Sequence, residues 1–176
     1  MRALIVYESM FGNTQRIADA IAEGLGRHGR VEVVEVSQAI LPVPHDLDLL
    51  VIGGPTHAFS MSRPTTRQSA KQQAVGPLIS GGSGIREWIA RLAATGRKVD
   101  TAVFDTRLGK PMWTTGSAAR SAAKHLKRSG IPLTAPAASF TVTATTGPLG
   151  DGELARARQW GETLGQVITS ATAGCA

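Results

Sequence analysis

The chain has 176 residues, 42% hydrophobic and 18% charged, which suits a globular protein with one domain and one core. Its 19 basic and 13 acidic residues give a net charge of +6, yet the cations are scattered and aromatic residues make up only 5%, which argues against nucleic-acid binding. No apolar run nears the roughly 20 residues of a membrane helix, and a single cysteine, Cys175, excludes a disulfide framework or a cysteine-built zinc site.

Ala3-Leu-Ile-Val-Tyr7 reads as a buried strand, leaving no room for the basic and apolar regions of a signal peptide, so a reducing cytoplasm is the expected compartment. Glu8-Ser-Met-Phe-Gly-Asn-Thr-Gln-Arg-Ile17 then passes through a small-polar turn into a helix with Ile17, Ile21 and Leu25 on one face. In that geometry the first-turn N–H groups lack backbone partners and point into the turn, where an anion can accept them. Ser9, Asn13 and Thr14 add short polar side chains, and Gly12 permits close approach or a positive φ.

Val31-Glu-Val-Val-Glu-Val36 is a β-branched strand suited to a sheet edge, and Asp48-Leu-Leu-Val-Ile-Gly-Gly54 is a central strand ending in two glycines. The stretch from Pro55 to about Gly84 is polar and rich in Ser, Gly and Gln; its length marks it as functional or mobile. Ile85, Trp88, Ile89 and Leu92 mark a helix face, and Lys98-Val-Asp-Thr-Ala-Val-Phe104 is the fourth strand. Gly116 to Ser129 is a helix with Ala118, Ala119, Ala122, Ala123 and Leu126 inward, closed by Gly130 and Pro132; the cations of Lys124-His-Leu-Lys-Arg128 near its end meet the helix dipole favourably. A fifth strand lies between Ala138 and Ala144, Asp151 opens a last helix, and residues 171–176 are expected to fray. Trp88 and Trp160 fall on apolar helix faces and read as core.

Five strands alternating with four or five helices predict a single α/β domain over residues 1–176, with a doubly wound parallel sheet covered on both faces. Ligands of such sheets bind outside the carboxyl ends of the strands, which singles out the loops after strands one, three and four. The first loop lacks the lysine of a nucleoside-triphosphate loop and the spaced glycines of a dinucleotide fingerprint. With Cys175 at the far end, a cysteine phosphatase is excluded too. What remains is a hydroxyl- and amide-lined loop suited to one terminal phosphate, or an ordinary capped β–turn–helix connection.

From Ala3 to about Ile168 the chain resembles the flavodoxin family, whose phosphate loop reads [ST]-x-[ST]-G-x-T. Ser9, Gly12 and Thr14 match; Phe11 stands where the family usually has a hydroxyl, removing one phosphate hydrogen bond. The resemblance implies a five-stranded sheet in the order 2-1-3-4-5 and FMN as cofactor. Its phosphate site is then Ser9, Met10, Phe11, Gly12, Asn13 and Thr14. Pro55, Thr56, His57, Ala58 and Phe59 would flank the flavin ring on one side, and Asp105, Thr106, Arg107 and Trp113 on the other. There is no room for the insertion of long-chain flavodoxins, and Pro55-Thr-His-Ala-Phe59, Phe104-Asp-Thr-Arg107 and Gly147-Pro-Leu-Gly-Asp-Gly-Glu153 are similar to a short-chain group associated with actinobacteria.

The expected function is that of an FMN-binding redox protein, either an electron carrier or a small reductase acting on a quinone or other anionic acceptor. No catalytic side chain is named. The four histidines show no metal-ligand spacing, so no metal is expected. The alternative is a flavodoxin-fold interaction module that holds no flavin. Carrier flavodoxins are typically acidic, whereas this chain places Arg63, Arg67, Lys71, Arg107 and Lys110 in the loops framing the site. A positive rim predicts a redox partner protein or small acceptor that is acidic or phosphate-bearing, with no nucleic acid and no membrane span.

Overall fold

A computed structural model describes residues 1–73 and 78–173; Cys175 and the last part of the expected frayed end lie outside them. Five parallel strands form the sheet: β1 (Arg2–Tyr7), β2 (Arg30–Glu35), β3 (Leu49–His57), β5 (Thr101–Leu108) and β6 (Ala138–Val142). Their spatial order is β2-β1-β3-β5-β6, the order implied by the resemblance. A sixth strand, β4 (Ser60–Met61), pairs antiparallel with the end of β3. The helices are α1 (Asn13–Leu25), α2 (Pro64–Gln73), α3 (Ile85–Ala94), the single turn α4 (Met112–Thr115), α5 (Ala118–Arg128) and α6 (Glu153–Ala173). None of the described helices is long and apolar enough to cross a membrane.

Each face of the sheet buries its own core. Leu4, Val6, Leu50, Ile52 and Val103 face α3 and α5, where Trp88, Leu92, Ala122 and Leu126 meet them. Ile5, Leu49, Val51, Phe104 and Phe140 face α1 and α6 through Ile17, Ile21, Leu25, Ala157 and Leu164. Because side chains alternate along a strand, a chain buried on both faces reads as an unbroken apolar run, as β1 and β3 do. Trp88 is fully buried and its indole N–H donates to the Ala39 carbonyl at 3.0 Å, while Trp160 packs edge-on against Phe104 and Phe140.

Register brings the carboxyl ends together. Tyr7 pairs with Gly53, Gly53 with Phe104, and Pro55 with Thr106, so the segments that leave β1, β3 and β5 emerge side by side. Gly53 has a steric reason: a Cβ there would lie 2.0 Å from the Phe104 ring, which covers the strand at that point.

One expectation needs correction. Strands β3 and β5 run on to His57 and Leu108, so Pro55–His57 and Asp105–Arg107 are strand residues rather than loop. In the polar stretch from Pro55 to Gly84, of which residues 74–77 lie outside the described residues, β4 and α2 form, anchored by the buried Met61, Ser62, Arg67, Ala70 and Ser80. The anchors are mostly polar or small, which is why no apolar periodicity announces them.

Helices α1 and α6 touch through two glycines. A Cβ on Gly24 would sit 2.0 Å from the Arg158 carbonyl oxygen, and one on Gly161 would sit 2.3 Å from that of Ile21. Ion pairs Arg27–Glu162 and Arg158–Glu23 flank the contact. Gly→Ala inside a helix ordinarily stabilises by about 1 kcal/mol. Here the methyl must push the helices apart, so Gly161→Ala is expected to destabilise by about 1–3 kcal/mol, read as a lower urea midpoint.

Candidate functional site

A cleft of about 410 Å³ opens at the carboxyl end of the sheet. Its lining includes Ser9, Met10, Phe11, Asn13 and Thr14, then Pro55, Thr56, His57, Ala58 and Phe59, then Thr106 and Arg107. The three segments singled out in the sequence therefore converge on one space. Gly12, Asp105 and Trp113 do not line it. Thr66, Ser69 and Ala70 of α2, Leu108, Thr114 and Thr115 after β5, and Val142 and Thr145 at the end of β6 complete the wall.

The first loop is shaped by its own backbone. Gly12 precedes α1 with φ 87°, a left-handed conformation that favours glycine. The Ser9 hydroxyl accepts the Gly12 N–H at 3.1 Å, drawing the turn closed. The first helical bond runs from Arg16 N–H to the Gly12 carbonyl, so the N–H groups of Asn13, Thr14 and Gln15 have no helical acceptor. No side chain caps this end and no carboxylate stands in its first turn. A strap at residues 79–80 holds the loop from behind. Ser80 N–H donates to the Ser9 carbonyl at 2.8 Å, Ser9 N–H donates to the Ser80 hydroxyl at 2.9 Å, and Ile79 N–H donates to the Met10 carbonyl. The Asn13 amide donates to the Thr146 carbonyl, and the hydroxyls of Thr14 and Thr106 meet at 2.7 Å, tying the loop to β5 and to the turn after β6.

The second segment ends in a two-residue hairpin between β3 and β4. Its central residues, Ala58 (φ 45°) and Phe59 (φ 70°), are both left-handed although neither is glycine. Such a primed turn matches the twist of the strands but strains residues with a Cβ. The turn is held because Phe59 pairs with Gly116. A Cβ on Gly116 would lie 2.2 Å from the Phe59 carbonyl oxygen, and its own φ of 70° also requires glycine.

Asp105, expected beside the ring, turns away from the cleft. It is fully buried, and its Oδ2 accepts the Ser117 hydroxyl at 2.6 Å, the Ala119 N–H at 2.9 Å and the Thr56 hydroxyl at 3.1 Å. The carboxylate thus caps α5 and fixes Thr56, whose hydroxyl oxygen accepts the Ala118 N–H. Trp113, the other expected ring neighbour, is 84% exposed on α4. Arg107 does reach the cleft wall. Its Nη1 donates to the carbonyls of Leu108 and Lys110 and to the Thr115 hydroxyl, and among the described residues it has no carboxylate partner.

Behind the first loop lies a buried polar cluster. The Glu8 Oε2 accepts the Ile85 N–H at 2.9 Å, and Arg67, only 8% exposed, donates to the Ser62 hydroxyl and to Glu87. Burial pushes the Glu8 carboxyl above its ordinary value, opposed by the Ser62 hydroxyl, the Ile85 N–H and the Arg67 charge. His57 is shifted the other way: burial, then the Arg67 charge, lowers its pKa, so the imidazole is neutral at pH 7. No cluster of His, Cys, Asp and Glu suited to a metal ion is found among the described residues.

A raised carboxyl pKa means that the folded state binds the proton more tightly than the unfolded chain. The cost of ionising Glu8 is absent below its unfolded pKa and grows as pH rises toward the folded value. Glu8→Gln, neutral at every pH, is therefore expected to gain on the parent in unfolding free energy between pH 4 and pH 8. Urea unfolding across that range checks it; parallel pH profiles would show that Glu8 ionises without cost.

The Flavodoxin family model matches residues 5–70, which include the first loop, β3 and the strained hairpin. No curated protein sequence matches the chain. Among solved structures, a flavodoxin from the domain Archaea superposes with a TM-score of 0.70 at 18% identity, covering 96% of this chain and 99% of that one. The two-electron reduced flavodoxin of Megasphaera elsdenii gives 0.61 at 17% identity, with 93% and 98% covered. A short-chain flavodoxin associated with a non-canonical PDU bacterial microcompartment gives 0.66 at 16%, with 96% and 99% covered. At such identities the superpositions establish a flavodoxin-like fold, and the family model matches the part of the chain that holds the loop and the hairpin.

Proposed function

We propose that this protein binds FMN in the cleft at the carboxyl end of its sheet and works as a redox protein in the cytoplasm. It passes electrons to a partner protein or to a small anionic acceptor. The observation that carries the reading is the row of first-turn N–H groups at Asn13, Thr14 and Gln15, which have no helical acceptor and no carboxylate beside them. A terminal phosphate suits this donor set, because backbone amides and a helix N-terminus both favour an anion. The Ser9 and Thr14 hydroxyls and the Asn13 side chain stand in the same loop.

The rest of the cleft fits a flat ring. Met10, Phe11, Pro55, Ala58, Phe59, Leu108 and Val142 supply apolar walls, and Thr56, Thr106 and Thr115 supply hydroxyls between them. When bound, FMN supplies one- and two-electron chemistry that no side chain here can perform. The protein binds and orients it, and Arg107 holds a fixed positive charge at the wall. His57 at the same wall is kept neutral by burial and by the Arg67 charge, so it adds a polar but uncharged group there. Phe11 favours the alternative of a flavin-free interaction module, since it removes a family hydroxyl. The backbone donors argue against that alternative, because they do not depend on the side chain at position 11.

Calorimetric titration tests the reading. FMN is expected to bind more tightly than FAD, since the loop provides for a single terminal phosphate. Thr14→Val should weaken FMN by about tenfold to a hundredfold, the worth of a hydrogen bond to a charged group. Riboflavin, which has no phosphate, should be affected far less; loss of the Thr14–Thr106 contact is common to both ligands and does not separate them. Equal weakening would make Thr14 a structural residue only.

Arg107 gives a second test. Reduction adds negative charge inside the cleft, and a nearby cation favours it. Arg107→Gln is expected to lower the midpoint potential of bound FMN by on the order of tens of millivolts at low salt. An unchanged potential, with FMN still bound, would place the guanidinium too far away to act.

A further inference from the structure

The mouth of the cleft carries a surface that cofactor binding does not require. Ile40, Phe59, Ile79, Trp113 and Val167 are the large hydrophobic side chains exposed among the described residues. Three of them surround the mouth. Phe59 lines it from the hairpin tip and is 64% exposed. Trp113, 84% exposed, stands on α4, whose Thr114 and Thr115 line the wall. Ile79, 43% exposed, stands on the strap bonded to the first loop.

Charge is segregated around the same mouth. Residues 9–17, 55–73, 106–115 and 142–150, which leave the carboxyl ends of the strands, contain six cations and not one Asp or Glu. Those six equal the whole net charge of +6, and the remainder of the chain is balanced. Arg67 is buried against Glu87. Arg16, Arg63, Lys71 and Lys110 are exposed and make no ion pair among the described residues. Of the carboxylates that adjoin these segments in sequence, Glu8 and Asp105 are fully buried and each accepts structural hydrogen bonds, whereas Asp19 and Asp151, just beyond the ends of two segments, are exposed.

We propose that this face docks an acidic protein partner, with Phe59, Trp113 and Ile79 as apolar anchors and the exposed cations pairing with the partner's carboxylates. Exposed aromatic side chains within a polar, charged rim are the composition of an interface hot spot, and charge complementarity fixes the sign of the occupant. The proposal rests on the redox reading only in that the partner's own redox group must approach the cleft. Docking itself needs no flavin.

The probe is a fluorescently labelled, strongly acidic plant-type ferredoxin, with basic cytochrome c and a short DNA duplex as comparisons. Binding is followed by anisotropy at about 20 mM and about 200 mM salt, with and without FMN. Ferredoxin is expected to bind more tightly than cytochrome c and to lose at least about tenfold in affinity at the higher salt. Replacing both Arg63 and Lys110 by Glu should cost at least about tenfold, and Trp113→Ala several-fold. Lys127→Glu, at the opposite end of α5, should cost little; circular dichroism verifies that each variant is folded. Equal loss from Lys127→Glu, equal binding of cytochrome c, or tighter binding of the duplex than of ferredoxin would overturn the proposal. Ferredoxin binding to a protein that takes no FMN would sink the redox reading and leave the docking face standing. FMN binding without ferredoxin binding would do the reverse.

Discussion

Three backbone N–H groups at the mouth of α1 have no helical acceptor, and much of the surrounding structure keeps them aimed the same way. Gly12 supplies the left-handed turn, Ser9 closes it from within, and the strap at 79–80 holds it through three hydrogen bonds. Leaving such donors unpaired costs free energy in the isolated protein, because each would otherwise gain a partner. An anion in the turn recovers that cost. The parallel sheet matters to this site mainly by delivering β1, β3 and β5 in register, so that the walls meet the loop within a few residues of it.

Charge is divided by depth at this end of the molecule. Carboxylates serve the starts of helices: the buried Asp105 caps α5, and the buried Glu8 and half-buried Glu87 receive the start of α3. Most cations at this end stand outside, around the cleft mouth, with Arg67 the buried exception. Buried acids with hydrogen-bond donors fix local geometry, whereas exposed unpaired cations act over several ångströms through water and depend on salt. The same segments therefore build a rigid pocket and present a positive face.

The parts legible in the sequence were those governed by local rules. An apolar run, a small-polar turn and a helix face suffice to place β1, the phosphate loop and α1, and unbroken apolar strands identify a doubly covered sheet. The hairpin at Ala58–Phe59 was not legible, because it lacks the Asn-Gly or Gly pairing that marks such turns and depends on a distant Gly116 for support. Asp105 was misplaced for a related reason. Nothing near it in sequence shows that Thr56, Ser117 and Ala119 converge on its carboxylate. Helix α2 is polar enough to read as a connection, and the wall it supplies, Thr66, Ser69 and Ala70, carries no motif. Thr145 does carry a signal, since it follows the carboxyl end of β6 as the other wall residues follow theirs.

The central claim is that the amides of the first loop take up a phosphate. Amide proton shifts of the labelled protein, followed by NMR during titration with FMN and separately with riboflavin, test it most directly. The account predicts that the Asn13, Thr14 and Gln15 amides move strongly downfield with FMN and hardly with riboflavin, while the residues of the ring walls respond to both. Equal responses of the loop to the two ligands, or none to FMN, would contradict it.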